Sequence, residues 1–286
     1  MAGNMLIHTG MIDEDELRKY EQEAKANDRE SWMFAYVMDI NEEEKEKGKT
    51  VEVGKASFET KDKRYVILDC PGHRNYVPNM IAGATQADVA ALVVSAKSGE
   101  FEAGFERGGQ TMEHTILARY LGSEFLVIII NKMDECNWQE DRFEHIKKNL
   151  MPFLKDTCSW DIEKQIRWVP VDGLKGVNIS TKVDSKQCPW YKGECLLDTF
   201  NGLPKIERPN VNVLRIPIFD KYKEKNESAF YGKVVSGAIR ENMVITIMPK
   251  GVELTITKIQ DSNDEPLALA EAGDNIKVFL FPVNKK

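Results

Sequence analysis

Two short, unbroken apolar runs constrain this chain more than any other feature. They are Asp88-Val-Ala-Ala-Leu-Val-Val-Ser95 and Phe125-Leu-Val-Ile-Ile-Ile-Asn131. Neither alternates apolar with polar, so neither suits a sheet with one wet face. A strand that is apolar on both sides is buried on both sides, as in a parallel sheet covered by helices. At strand length, these runs also fall well short of the ~20 apolar residues a membrane helix needs. Around them, Arg64-Tyr-Val-Ile-Leu-Asp69 and Ile166-Arg-Trp-Val-Pro-Val171 read as further strands. Helix-length segments lie between, at 75–86, 110–121 and 139–155, and residues 12–27 are rich in helix formers. Strand and helix alternate, which predicts a doubly wound α/β domain over 1–204.

Near residue 205 the pattern changes. Gly202-Leu-Pro-Lys and Arg208-Pro209 mark a linker, and short strands separated by Gly, Pro, Asn and Asp follow to the end. Such spacing predicts a small antiparallel β-barrel over 205–286.

Composition narrows the functional classes. The net charge of −7 argues against a bulk electrostatic grip on nucleic acid, and DNA is not expected as a partner. A local basic patch on an RNA machine stays compatible with it. The N-terminus lacks a basic-then-apolar signal pattern. Five cysteines, none in a C-x-x-C pair, point to free thiols in a reducing cytosol rather than a zinc site.

Strand ends carry the chemistry in folds of this kind. Asp69-Cys-Pro-Gly72-His73 closes one strand. There a carboxylate can hold Mg²⁺ through water, Gly72 lets the backbone approach a terminal phosphate, and His73 can orient an attacking water. The bland alternative is a tight turn with an incidental acid. Asn131-Lys132-Met133-Asp134 closes another strand. The Asp134 carboxylate is a two-lobed acceptor that matches both N–H donors on the Watson–Crick edge of guanine. Lys132 can lie over the base, and Asn131 can brace neighbouring loops. His8, His114 and His145 read as structural or surface residues, and Trp160, Trp168 and Trp190 as packing residues.

Taken together, these motifs resemble those of the translation-factor GTPases, the group of elongation factor Tu and elongation factor 1-alpha. Glu44-Lys-Glu-Lys-Gly-Lys-Thr-Val-Glu-Val-Gly54, Gly99-Glu-Phe-Glu-Ala-Gly-Phe-Glu-Arg-Gly-Gly-Gln-Thr111, Cys188-Pro-Trp-Tyr-Lys-Gly193 and Asp220-Lys-Tyr-Lys223 extend the likeness over nearly the whole chain and favour the polypeptide-release branch. The resemblance implies a GTP hydrolase that binds GTP/GDP and Mg²⁺ and works on the ribosome, as a cytoplasmic monomer, with a stop-codon-recognising release factor. Elongation or ribosome-rescue work and a catalytically dead docking module are the alternatives. Residue by residue, it implies Thr50 and Asp69 at the metal, Gly72 at the γ-phosphate and His73 at the hydrolytic water. Asn131, Lys132 and Asp134, with Asp172 and Gly173, would surround guanine. The first switch would span 39–54 and the second 69–85.

The sequence departs from this pattern in three places. It contains no G-x-x-x-x-G-K-[ST]; Gly48-Lys-Thr50 is preceded by Glu43 where that motif needs glycine. Nucleotide binding is therefore expected to be weak, and loss of the strand before that loop is expected to expose a sheet edge. Asp172 stands where the family usually has Ser, and repulsion from Asp134 is expected. A second β-barrel, usual in the family, is expected to be lacking after Lys286.

Overall fold

The computed structural model describes residues 1–26, 33–38, 53–60, 62–105, 109–208, 213–224, 227–261 and 264–282. Thr50, most of the segment 39–54, and Gly48-Lys-Thr50 lie outside the described residues. The chain divides into two compact units, Met1–Pro204 and Lys205–Lys286.

The first unit is built on a parallel sheet of three strands, β3 (Val89–Ser95), β4 (Phe125–Asn131) and β5 (Ile166–Pro170), in that order. The register runs Val89 against Phe125 through Ser95 against Asn131, and Leu126 against Ile166 through Ile130 against Pro170. The central strand shows why its sequence does not alternate. Leu126, Ile128 and Ile130 enter one apolar cluster with Phe143, Ile146, Leu150 and Trp160. Val127 and Ile129 enter a second cluster on the other face, with Met5, Leu6, Phe58 and Val169. All five of these β4 residues are fully buried, so both faces demand apolar side chains.

Helices cover this sheet. They are α1 (Ala2–His8), α2 (Glu14–Ala26), α3 (Met33–Tyr36), α4 (Val77–Ala84), α5 (Glu100–Phe105), α6 (Gln110–Tyr120), α7 (Glu140–Pro152) and α8 (Leu196–Asn201). The expected helix over 139–155 ends as an α-helix at Pro152 and continues as one π-type turn, Phe153–Thr157.

The strand ending in Asp69 does not join the parallel sheet among the described residues. Strand β2 (Arg64–Asp69) pairs antiparallel with β1 (Gly54–Glu59) in a separate hairpin, Gly54 facing Asp69. Strand β1 is weakly marked in the sequence, with only Ala56 and Phe58 as apolar side chains. The outer edge of β3 carries no described strand partner, and Val93 on that strand is 46% exposed.

The second unit is a five-stranded antiparallel sheet. Its order is β6 (Ile218–Glu224), β7 (Glu227–Lys233), β12 (Asn275–Pro282), β10 (Val252–Gln260) and β9 (Val244–Ile247). A short ladder of β8 (Ala238–Arg240) with β11 (Leu269–Glu271) completes it. Val234, Ile239, Ile256, Ile259, Ala270, Ile276 and Val278 form its apolar centre. No helix among the described residues is long and apolar enough to cross a membrane.

The two-sided burial of β4 sets the energetic weight of the first unit. Ile128→Ala removes a fully buried side chain and is expected to lower its stability by about 2–5 kcal/mol, read from urea denaturation. Val93→Thr, on the half-exposed edge, is expected to cost far less.

Candidate functional site

The site grows from the end of β4. Asn131 is its last residue, and Met133, two positions on, is fully buried and donates its N–H to Val171 O at 3.2 Å. That anchor forces Lys132 between them into the left-handed region, at φ 62°. A lysine there is strained and persists only where surrounding structure holds it. The reversal opens a 3₁₀ turn, Met133–Cys136, that carries Asp134 outward, one third exposed. The turn is closed from behind: Trp138 donates its N–H to Met133 O at 2.9 Å, and Trp190 donates its indole N–H to Trp138 O at 2.7 Å. Cys188-Pro-Trp190-Tyr thus packs behind the Asn131–Asp134 turn.

Asn131 Oδ1 accepts two backbone N–H groups, from Lys132 and from Gly173, both at 2.8 Å. It therefore ties the loop after β4 to the loop after β5. Glycine at 173 suits this approach, since a Cβ there would lie 2.9 Å from Asn131 Oδ1. Gly173, expected among the residues around guanine, has its N–H donated to Asn131. On the other side of the same loop, the buried Asn4 of α1 donates to Gly173 O at 2.6 Å and Leu174 O at 3.1 Å.

Asp172 is buried, and its Oδ1 accepts the N–H of Leu174 and of Lys175, both at 3.0 Å. This is the local turn an Asx residue makes with the backbone two and three positions on. Its other oxygen faces Lys175 Nζ at 3.9 Å, and the same Nζ lies 3.6 Å from Asp134 Oδ2. The repulsion expected between Asp134 and Asp172 is thus offset by a cation placed between them. Lys175 was not singled out from sequence, although its position three residues after an Asp that caps a turn was a usable signal.

A second ionic chain was also not singled out. Glu100 at the start of α5 accepts from Lys132 Nζ at 2.7 Å and Ser95 Oγ at 2.8 Å. Lys132 is thereby held toward the loop after β3. The Lys132 and Ser95 contacts keep the Glu100 carboxyl below its ordinary value, Lys132 being the larger cause. Two residues on, Glu102 forms a paired contact with Arg142 and accepts Gly99 N at 2.7 Å. Arg142 also donates to Ala96 O and Lys97 O. The Arg142 guanidinium brings the Glu102 carboxyl from 4.5 down to about 2.

The phosphate-side candidates lie at and just after the end of β2. Asp69 ends β2, half-buried. The Met1 amine, whose pKa burial lowers, feels Asp69 as its opposing charge. Met1 Cβ lies 3.2 Å from where a Cβ on Gly173 would stand. Gly72 is exposed. His73 accepts the Asn75 N–H at 3.2 Å through Nδ1 and lies 5.8 Å from the Tyr76 ring. His114 approaches Gly72, its Cε1 4.0 Å from where a Cβ would stand, and burial lowers its pKa. Among the described residues no group of three or more His, Cys, Asp or Glu could hold a metal ion. A single carboxylate such as Asp69 is nevertheless a usual protein contribution to Mg²⁺, which takes its remaining ligands from phosphate and water. All five cysteines are free thiols, and burial pushes Cys70 up to about 11 with Asp69 adding to the shift.

Residues 1–236 match the family model described as the elongation factor Tu GTP binding domain. The chain is 43% identical over 280 residues to the eukaryotic peptide chain release factor GTP-binding subunit of Schizosaccharomyces pombe, covering 97% of this chain and 42% of that protein. It therefore spans less than half the length of that relative. Among solved structures it is similar to sup35 complexed with GDP, at 35% identity, a TM-score of 0.52 and coverage of 98% of this chain and 59% of that one. The Saccharomyces cerevisiae Ski7 GTPase-like domain bound to GTP shares the fold, at 19% identity and a TM-score of 0.78, with 100% and 67% of the two chains covered.

Two outcomes follow from the geometry. Asn131→Ala strips the acceptor from two backbone donors and is expected to cost about 1–3 kcal/mol, with faster amide exchange at residues 132 and 173. The second concerns acid. Glu102 is depressed in the folded state, so its contribution to stability is present above about pH 4.5 and is lost as pH falls toward 2. Arg142→Leu is expected to flatten that part of the stability–pH curve, read by thermal melts between pH 2 and 7.

Proposed function

The chain belongs to the elongation factor Tu GTP-binding-domain family, and from that premise we propose that it reads guanine nucleotides, hydrolyses GTP and serves polypeptide release at translation termination. The observation that carries this reading is the Asn131 bridge. It brings the outward carboxylate of Asp134 and the loop of Asp172 and Gly173 to one place at the end of a parallel sheet. Such sheets bind their ligands there. The whole protein's partners in this proposal are the ribosome and a stop-codon-recognising release factor, with the work done in the cytoplasm.

In this proposal each residue has a separate task. Asp134 accepts the N1 and N2 donors of guanine, a pair that adenine does not present. Lys132 lies alongside the base with its ammonium directed to Glu100. Asn131 keeps the two base-side loops together and touches no substrate atom. His73 orients water for attack on the γ-phosphate, beside the exposed backbone of Gly72. Asp69, with Thr50, would hold Mg²⁺, which neutralises phosphate charge when bound.

The phosphate side is the weaker half. The sequence carries no G-x-x-x-x-G-K-[ST], so the backbone cradle and its lysine are lacking within it. Affinity in this chain is accordingly weak and rests on the base. A second reading is a catalytically dead docking module on ribosomal or release-factor surfaces.

Titration with a fluorescent GDP analogue tests the first reading. Weak binding is expected, with guanine preferred over adenine and the preference lost in Asp134→Ala. Equal binding of the two bases overturns the guanine reading, and nanomolar affinity overturns the weak phosphate side. Ribosome-stimulated GTP hydrolysis that falls about a hundredfold in His73→Ala favours the enzyme. A rate at background in both forms favours the docking module.

A further inference from the structure

Lys175 belongs to neither half of the site as described so far, yet it faces the group assigned to the base. Its ammonium stands 3.6 Å from Asp134 Oδ2 and 3.9 Å from Asp172 Oδ2, on a side chain that is 65% exposed. The two acids it joins are unlike. The Asp172 side chain is only 3% exposed, and its other oxygen is committed to two backbone N–H groups, so it cannot move. Asp134 is one third exposed. Lys132, on the neighbouring turn, is engaged with Glu100 at 2.7 Å. One exposed cation is therefore shared by a fixed carboxylate and an accessible one.

We propose that Lys175 is an internal competitor of the base, occupying one lobe of the Asp134 carboxylate, and that Asp172 is the site to which it withdraws when a purine enters. This rests on the assignment of Asp134 to guanine. A two-lobed acceptor cannot give the same oxygen to an ammonium and to a purine N–H at full strength, so entry of the base displaces Lys175. Asp172 lowers the cost of that displacement because it already lies within ion-pair range. The pair Asp172 and Lys175 thus sets base affinity without touching the base. An acid at 172 and a base at 175 work as a unit: a lone Asp172 would repel Asp134, and a lone Lys175 would stay on it.

Neutral guanosine is the appropriate probe, since a phosphate would be attracted to Lys175 and mask the competition. Its dissociation constant is read from the amide shifts of residues 131–134 and 173 in the full chain, with adenosine as control. Lys175→Met is expected to tighten guanosine binding by about two- to fivefold, the scale of one exposed ion pair. Asp172→Asn keeps the turn acceptor but removes the retreat, and is expected to weaken binding by a similar factor. In the double variant the weakening should vanish, because the competitor is gone. Unchanged or weaker binding in Lys175→Met overturns the proposal, as does an Asp172→Asn effect that persists in the double variant. Asp134→Ala separates the two layers. If it leaves guanosine binding intact, or if guanosine perturbs no variant, the guanine reading fails and the competition with it. If Asp134→Ala weakens binding while Lys175→Met does not tighten it, only the competition fails.

Discussion

One side-chain oxygen holds the site together. Asn131 Oδ1 takes the N–H of its own neighbour and the N–H of Gly173, 42 residues away. Together with the Met133 N–H on Val171 O, that acceptor joins the loops after β4 and β5 above the parallel strands. A neutral amide is suited to the place: it accepts two donors without bringing a charge into a loop already crowded with carboxylates. The contact is precise because its platform is rigid. Residues Leu126 to Ile130 of β4 are completely buried between two apolar layers, and close-packed interiors tolerate little displacement.

Charge is arranged around this junction so that four acids near the base side meet a cation. Glu100 meets Lys132, Glu102 meets Arg142, and Lys175 serves both Asp134 and Asp172. These pairs are partly exposed and individually contribute little to stability. Their effect is on orientation. Arg142 joins α7 to the backbone after β3, and Glu100 turns Lys132 toward that same loop. The base-side loops are thereby braced from three segments that are distant in sequence.

Much of this was legible from residue order. The apolar runs ending in Ser95 and Asn131, the Asp69 strand, and helices over 110–120 and 140–152 follow from periodicity, because burial on one or two faces leaves a direct trace in the sequence. The hairpin strand Gly54–Glu59 was not legible, because its alternation rests on only two apolar residues, Ala56 and Phe58. The helix Leu196–Asn201 was missed because six residues are too few to show a period. At the site, strand-end acids were visible as motif members. Lys175, Glu100 and Arg142 were not, since each acts through a contact between segments.

The order of residues alone determined which chemistry this protein can carry: an amide, a lysine and a carboxylate at one strand end, and an acid, a glycine and a histidine at another. It did so because such groups are confined to strand ends, where the apolar pattern stops. Tertiary structure decided how those groups are used. It spent the Gly173 N–H on Asn131, placed Lys175 between two acids, and paired the Asp69 strand with a hairpin instead of the parallel sheet among the described residues. These outcomes depend on distances between residues far apart in the chain, and spacing along a sequence carries no information about such distances until the core has closed.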